Sequence, residues 1–379
     1  MKYCKTCLQP DTRPGIVFND EGICPACNYY NSLQSTDWNK RKDELNEIIS
    51  FGKSNSSCGY DSIIGVSGGK DSLRQAIFVK EVLGMNPLLV CLSHPPEQVS
   101  QLGVDNLSNL ISKGFDCISV QPAPGIWKEL MRKSFFLHTN WQKSTELALF
   151  SSVPKMAVAY QIPLIWWGEN PSLQIGDLST MGRNGWDGNN LRNGNTLKNS
   201  NYKWLLDKDI KINKIIQYLY PSLEEMDKAK LQIVFLGYFW NIWSLHDNGL
   251  YGALNGLNIR DEKPWERGDL ENVSNLDEDW VSLNQMIKYL KYGFGKVTEN
   301  VSEDIRNKRL TRDQGIELIK KYDGKCSSKY IKGFSDFISI TVDEFWLQVD
   351  KSVNSNLFRK KNTIGEYEPL FEVGKGLNS

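Results

Sequence analysis

Apolar residues in this chain fall into short continuous blocks separated by longer stretches of helical period. Ile63-Ile64-Gly65-Val66, Pro87-Leu88-Leu89-Val90-Cys91-Leu92, Phe115 to Val120 and Ile162-Pro163-Leu164-Ile165-Trp166-Trp167 are apolar runs of strand length. Runs without polar alternation mark strands buried on both faces. Between them the spacing predicts helices over 70–83, 97–112, 126–138 and 141–160, the last interrupted at Pro154. A further helix is predicted over 36–52, with Asp37 as its cap and Leu45, Ile48 and Ile49 on its apolar face. Strands alternating with helices predict an α/β fold, a doubly wound parallel sheet. Ligands in such sheets sit at the carboxyl ends of the strands. Ser67 to Ser72, Ser93-His94, Gln121 and Gly168-Glu169-Asn170 are therefore expected on one edge.

The pattern changes after the fourth run. Residues 168–195 hold six glycines and six asparagines in 28 positions, a long polar loop of the kind that binds or covers a ligand. Arg183 and Arg192 in it suit phosphates. Residues 222–259 begin helical and include the aromatic run Phe235 to Trp240. From about 277 the tail is mainly helical, with capping boxes at Thr311/Gln314 and Thr341/Glu344. The run Lys288 to Lys296 mixes bases, aromatics and glycines. The expected organisation is a cysteine region over 1–35, an α/β domain over 36–260 containing the insertion 168–195, and a helical region over 261–379.

Lys+Arg and Asp+Glu each total 45, so the formal charge is zero. That balance argues against a bulk nucleic-acid binder. No apolar run approaches a membrane span, and the start, Met1-Lys2-Tyr3-Cys4, lacks a signal-peptide core. A cytoplasmic enzyme is expected.

The hexapeptide Ser67-Gly68-Gly69-Lys70-Asp71-Ser72 joins the first strand to its helix. A glycine turn opening a helix aims backbone N–H groups and a positive helix end at an anion. Ser67 and Ser72 add hydroxyl donors, and Asp71 offers a metal ligand. The spacing is neither that of a Walker A loop nor Gly-x-Gly-x-x-Gly. Cys4-x-x-Cys7 and Cys24-x-x-Cys27 are separated by 16 residues, the spacing of a closed four-thiolate Zn2+ site of structural type; disulfides are the alternative, disfavoured in a reducing compartment. Cys91 and Cys117 lie in apolar runs and are expected in the core. Cys58 and Cys326 are candidate reactive thiols.

The hexapeptide resembles the PP-loop of the ATP pyrophosphatase superfamily. Together with the paired cysteines, Pro10-Asp11-Thr12-Arg13-Pro14, Trp167-Gly168-Glu169-Asn170, Leu236-Gly237-Tyr238-Phe239, Lys288-Tyr289-Leu290-Lys291-Tyr292-Gly293 and Ile305-Arg306, it resembles the N-acetyl sugar amidotransferase family. Asn284 departs from that pattern, which has a histidine ahead of the two lysines.

The resemblance implies conversion of an acetamido group of a nucleotide-linked bacterial surface sugar to acetamidino. The nearest branch implies a UDP-diacetamido-mannuronic acid of lipopolysaccharide O-antigen. ATP is the cosubstrate, with Mg2+. Ser67, Gly68, Gly69, Lys70, Asp71, Ser72 and Ser93 would bind ATP. Asp71, Lys70 and Glu169 would serve the chemistry, and Asn170, Arg183, Lys288, Lys291 and Arg306 the sugar nucleotide. No glutaminase elbow is present, so ammonia is expected from glutaminase and cyclase-like partner subunits similar to imidazole glycerol phosphate synthase. The rival readings are a PP-loop tRNA-modifying enzyme and a non-catalytic zinc-ribbon scaffold.

Overall fold

The computed structural model describes residues 1–174, 176, 185–193, 197, 201–241 and 243–377. Arg183 lies outside them. The chain opens with a cysteine knuckle that runs into α1 (Pro25–Ser32) and α2 (Trp38–Asn55). Asp37 caps α2, its carboxylate accepting from Asn39 N and Lys40 N.

The alternating part follows as β1 (Ser62–Val66), α3 (Lys70–Ile77), β2 (Pro87–Leu92), α4 (Gln101–Ser112), β3 (Cys117–Val120), α5 (Pro124–His138), α6 (Gln142–Tyr160) and β4 (Leu164–Trp167). The helix after β1 ends in a π-helical turn over Phe78–Val82. α6 runs through Pro154 without interruption. Its buried face lies over β1, β2 and β4, and that packing holds the helix across a residue that cannot donate to its ladder.

After α7 (Pro171–Gln174) and α8 (Leu223–Lys228) comes β5 (Gln232–Phe235), a strand the sequence pattern did not single out. All five strands are parallel in the order β3-β2-β1-β4-β5. The order reverses between β1 and β4, which makes that gap the topological switch point. Side chains alternate across the sheet: Ile63 and Ile165 enter one apolar cluster, Ile64 and Trp166 the other. Residues 186–188 of the polar insertion pair with β5, Gly188 N donating to Ile233 O at 2.7 Å and Phe235 N to Trp186 O at 2.8 Å. They cover that edge of the sheet.

The tail comprises α9 (Leu245–Leu254), α10 (Pro264–Arg267), α11 (Val281–Tyr292), α12 (Lys296–Arg306), α13 (Arg312–Tyr322), α14 (Ser328–Phe337) and α15 (Val342–Asp350), then two short antiparallel hairpins near the carboxyl end. Both capping boxes form, at Thr311/Gln314 and Thr341/Glu344. Phe334, Phe345 and Leu283 share one apolar cluster with Trp127 of α5 and Leu147 of α6. α11, α14 and α15 are thus packed onto the α5–α6 side of the sheet, while α9 lies against α3 on the other side. Among the described residues no helix is long and apolar enough to cross a membrane.

Candidate functional site

The glycine loop forms as its sequence dictates. Gly68 has φ +78°, and a Cβ there would stand 2.8 Å from Leu107 N of α4, so only glycine lets the turn lie against that helix. Gly69 is the N-cap of α3 and offers no side-chain cap, leaving the first-turn N–H groups for a ligand. Ser72 Oγ donates to Gly69 O at 3.0 Å.

The loop lies on a cavity of about 430 Å³, lined at its floor by Ser67, Gly69, Lys70, Asp71 and Ser72. Lys70 is buried and its Nζ meets Asp71 Oδ2 at 2.7 Å. Asn248 of α9 donates from Nδ2 to Asp71 Oδ1 at 2.6 Å, and Arg74 donates to Asn248 Oδ1. Burial pushes the Asp71 carboxyl up, but Lys70, Asn248 and Lys296 outweigh it and hold the group below its ordinary range.

Glu169 extends from the end of β4 into the same cavity. Glu169 is open to the cavity, and the protein surface around its carboxyl, with Asp71 nearby, pushes it up to about 7. Two carboxylates at the switch point, one without a paired cation, form a site that a divalent cation suits. Each Asp71 oxygen already receives one donor, and a carboxylate oxygen has a second lone pair to give.

Other cavity groups come from distant segments. His94, at the end of β2, faces Asp277 Oδ2 from Nε2 at 3.2 Å, and its Nδ1 is buried without a partner. Burial lowers the imidazole's affinity for a proton, yet Asp277 overrides it and raises the pKa. Glu278 accepts from Trp280 N and Val281 N at 2.7 and 2.8 Å and so fixes the start of α11. Lys296, at the start of α12, and Glu146 of α6 complete the set. Lys296 stood at the end of the basic run that sequence reasoning noted, without being named as a site residue; Asn248, Asp277 and Glu146 were passed over. Their only local signal was a polar residue inside an apolar helix for Asn248 and Glu146, and an acidic run before Trp280.

Several expected site residues are placed elsewhere. Ser93 Oγ turns to Ser119 Oγ at 3.2 Å, beside the cavity lining. Asn170 is 1% exposed and starts α7, accepting from Leu173 N at 3.2 Å and donating to Gly237 O at 3.2 Å. Lys288 pairs with Glu299 Oε1 at 3.0 Å. Lys291 donates to His138 O and Thr139 O at 2.7 and 2.9 Å, closing the end of α5. Arg306 is buried and donates to Leu173 O at 3.4 Å. None of these five lines the cavity. Arg192 donates to Pro221 O at 3.3 Å. Cys326 is held by burial at about 12, a thiol rather than a thiolate.

The four amino-terminal cysteines converge. Their sulfurs all lie within 4.8 Å of one another and all four residues are buried. Cys4 Sγ and Cys27 Sγ are 3.9 Å apart, Cys7 Sγ and Cys24 Sγ 3.7 Å. These are not disulfide distances. A tetrahedral ion with sulfur ligands at about 2.3 Å spaces them about 3.8 Å apart. Gln9 N donates to Cys7 Sγ at 3.3 Å and Cys24 N to Cys4 Sγ at 3.2 Å, bonds that favour the thiolate forms. The cluster fits a single metal ion.

Residues 269–372 match the family model described as "LPS biosynthesis protein WbpG-like, C-terminal domain", which bears out the resemblance drawn from the sequence. No curated protein sequence matches the chain. Among solved structures, it is similar to an NH3-dependent NAD synthetase from Campylobacter jejuni at 15% identity and TM-score 0.28, over 38% of this chain and 61% of the synthetase. It is also similar to the U34-tRNA thiolase NcsA from Methanococcus maripaludis, which carries a [4Fe-4S] cluster, at 12% identity and TM-score 0.28, over 86% of this chain and 90% of the thiolase.

Proposed function

We propose, from a PP-loop sheet joined to a WbpG-like carboxy-terminal domain, that the chain is an ATP-dependent amidotransferase of lipopolysaccharide biosynthesis. It converts an acetamido group of a nucleotide-linked sugar, a UDP-diacetamido-mannuronic acid in the first instance, to acetamidino, releasing AMP and pyrophosphate. The observation that carries the reading is the uncapped glycine loop at the switch point, opening on a cavity with Asp71 and Glu169 at its edge. An amide oxygen is a poor leaving group, and adenylation corrects that. The amide oxygen attacks the α-phosphate and pyrophosphate leaves; ammonia then adds to the imidate carbon and AMP departs.

The first-turn N–H groups and Lys70 meet the charge that grows on the leaving phosphates. Asp71 and Glu169 are the residues that would hold Mg2+, which neutralises phosphate charge when bound. The four cysteines take Zn2+ as a structural ion: soft thiolates in a closed tetrahedron leave no position for substrate. Ammonia comes from a glutaminase partner with a cyclase-like subunit, and the enzyme works in the cytoplasm.

The test is incubation with Mg·ATP, ammonium and a panel of UDP-diacetamido sugars, following pyrophosphate and sugar mass. Sugar-dependent pyrophosphate with a loss of about one mass unit is the expected result, the balance of O replaced by NH. Pyrophosphate release with tRNA and none with any sugar would move the chain to RNA modification.

A further inference from the structure

One wall of the cavity has no part in the reading above. α6 turns Gln142, Thr145, Glu146, Leu149, Phe150 and Val153 toward the space, positions that share one helical face. Glu146 is the only acid on that face. Its Oε2 is buried without a hydrogen-bond partner. Burial raises the carboxyl to about 8, opposed only by the attraction of Lys143. Trp141, Leu149, Phe150 and Trp167 supply apolar surroundings. An unpaired acid there weakens the fold, whereas a leucine or methionine would fill the same helix face without that penalty. Buried, unpaired ionisable groups that face a cavity occur where chemistry uses them.

The other acids of the cavity sit among polar or charged groups: Asp71 meets Lys70 and Asn248, Asp277 meets His94, and Glu278 accepts two backbone N–H groups. Glu146 alone stands among apolar neighbours on the α6 wall with an oxygen that nothing in the protein bonds. A reactant that binds its phosphates at the glycine loop and becomes cationic at its other end would bring a partner to that oxygen. We propose that Glu146 takes the proton released when the nitrogen nucleophile adds to the activated amide carbon, and then pairs with the amidinium product.

This inference rests on the amidotransferase reading and assigns a group to its second half. The lone pair of ammonia forms the C–N bond to the protonated imidate, giving a tetrahedral carbon that bears –NH3+. That nitrogen passes one proton to the Glu146 carboxylate. The C–O bond to AMP then breaks, AMP leaving with the electron pair, and the carbon retains two nitrogens sharing one positive charge. Loss of the proton to bulk solvent restores the carboxylate, now opposite an amidinium. The carboxyl is protonated beside the neutral amide and gives that proton to bulk solvent as the cationic imidate forms, so that a carboxylate is present to take the proton from –NH3+; a group charged only opposite the cations favours those states over the neutral amide.

The test measures coupling. In the full chain with Mg·ATP, ammonium and sugar nucleotide, Glu146→Gln is expected to keep sugar-dependent pyrophosphate release within about threefold of wild type while amidine formed per pyrophosphate falls about tenfold or more. Water then competes for the imidate and returns the amide, detectable as 18O from labelled water. Glu146→Asp, which retains the carboxylate, restores part of the coupling. An unchanged amidine-to-pyrophosphate ratio in Glu146→Gln, or a parallel fall of both products, overturns the proposal.

A second measurement stands apart from turnover. Acetamidinium chloride titrated into the protein at pH 8 is expected to bind at least about tenfold more weakly to Glu146→Gln. Equal binding overturns the assignment of Glu146 to a cation. Absence of sugar-dependent pyrophosphate in wild type defeats the amidotransferase reading instead, and leaves the titration to decide whether the carboxylate faces a cation.

Discussion

The chain handles buried charge in two opposite ways. At the junction between the cysteine knuckle and the tail, every prominent charge has a protein partner. Glu299 receives Arg13 at 2.5 Å and Lys288 at 3.0 Å, and both cations lie over the Phe294 ring. Arg312 donates to Cys4 O, Cys7 O and Gly374 O. Asp323 accepts from Gly295 N, Val297 N and Thr298 Oγ1 and so anchors the start of α12. In the cavity, by contrast, Glu146 Oε2 and His94 Nδ1 are buried with nothing to bond, and Glu169, exposed to the cavity without a paired cation, is raised to about 7. Satisfied networks hold elements together; unsatisfied ones wait for a ligand. The basic run Lys288 to Lys296 is divided between the two, with Lys288 in the junction and Lys296 on the cavity wall.

The sharpest way to break this contrast is at the metal cluster. Cys24→Ser is expected to lose stoichiometric metal, measured by elemental analysis, and to lower Tm by about 10 °C or more, since a structural ion contributes folding energy directly. Full metal content in that variant would remove the cluster from the structural side of the comparison. Asp71→Asn should do the reverse. Sugar-dependent pyrophosphate release falls at least about a hundredfold, while circular dichroism stays close to wild type and Tm falls less than in Cys24→Ser, because Lys70 loses its carboxylate but Asn248 retains an acceptor. A large loss of Tm would make the loop a structural element like the junction.

Glu299→Gln comes next and tests the junction. It leaves Arg13 and Lys288 without their carboxylate, at a cost of about 3 kcal/mol in urea unfolding, with the apparent affinity for ATP unchanged. Burial acts to raise Glu299, but Lys288, Arg13 and Lys296 hold it well below the usual range. A depressed carboxyl contributes stability above its unfolded value near pH 4.5, and that contribution is lost as pH falls below it. The gap between wild type and Glu299→Gln should therefore be widest at neutral pH and narrow in acid. A gap that does not vary with pH would show that the ion pairs are not its source.

What the sequence revealed follows the same division. The four long apolar runs, the glycine loop, the Asp37 cap and both threonine capping boxes were legible because each is a local pattern. β5 was not: Gln232–Phe235 is only a few residues long, without alternation, and it is preceded by a string of short turns. Pro154 suggested a break that packing on the sheet overrode. Cysteine spacing revealed the metal cluster, since its ligands come in two local pairs. The cavity drew its groups from β2, α6, α9, α12 and the segment before α11, and no local pattern links these. Lys288, Lys291 and Arg306 read as anchors for an anionic sugar because their charge was visible and their partners were not.

The smallest expected effect concerns Glu146, and it separates a functional acid from a structural one by sign. Its carboxyl ordinarily loses its proton near pH 4.5, and burial defers that to about 8. Between those values the unfolded chain has released the proton and the folded chain retains it. The folded state binds more protons there, so its stability falls as pH rises, and above pH 8 the full penalty is present. Glutamine has no such penalty. Glu146→Gln should therefore match wild type in Tm near pH 4.5 and exceed it by a few degrees near pH 8.5. The other titratable groups on the cavity wall, Asp71, Glu169, His94, Asp277, Glu278, Lys70 and Lys296, are present in both proteins, so the difference between the two curves belongs to position 146. A junction carboxylate such as Glu299 gives the opposite curve when removed. A variant at 146 that loses Tm as pH rises would place this acid among the paired ones.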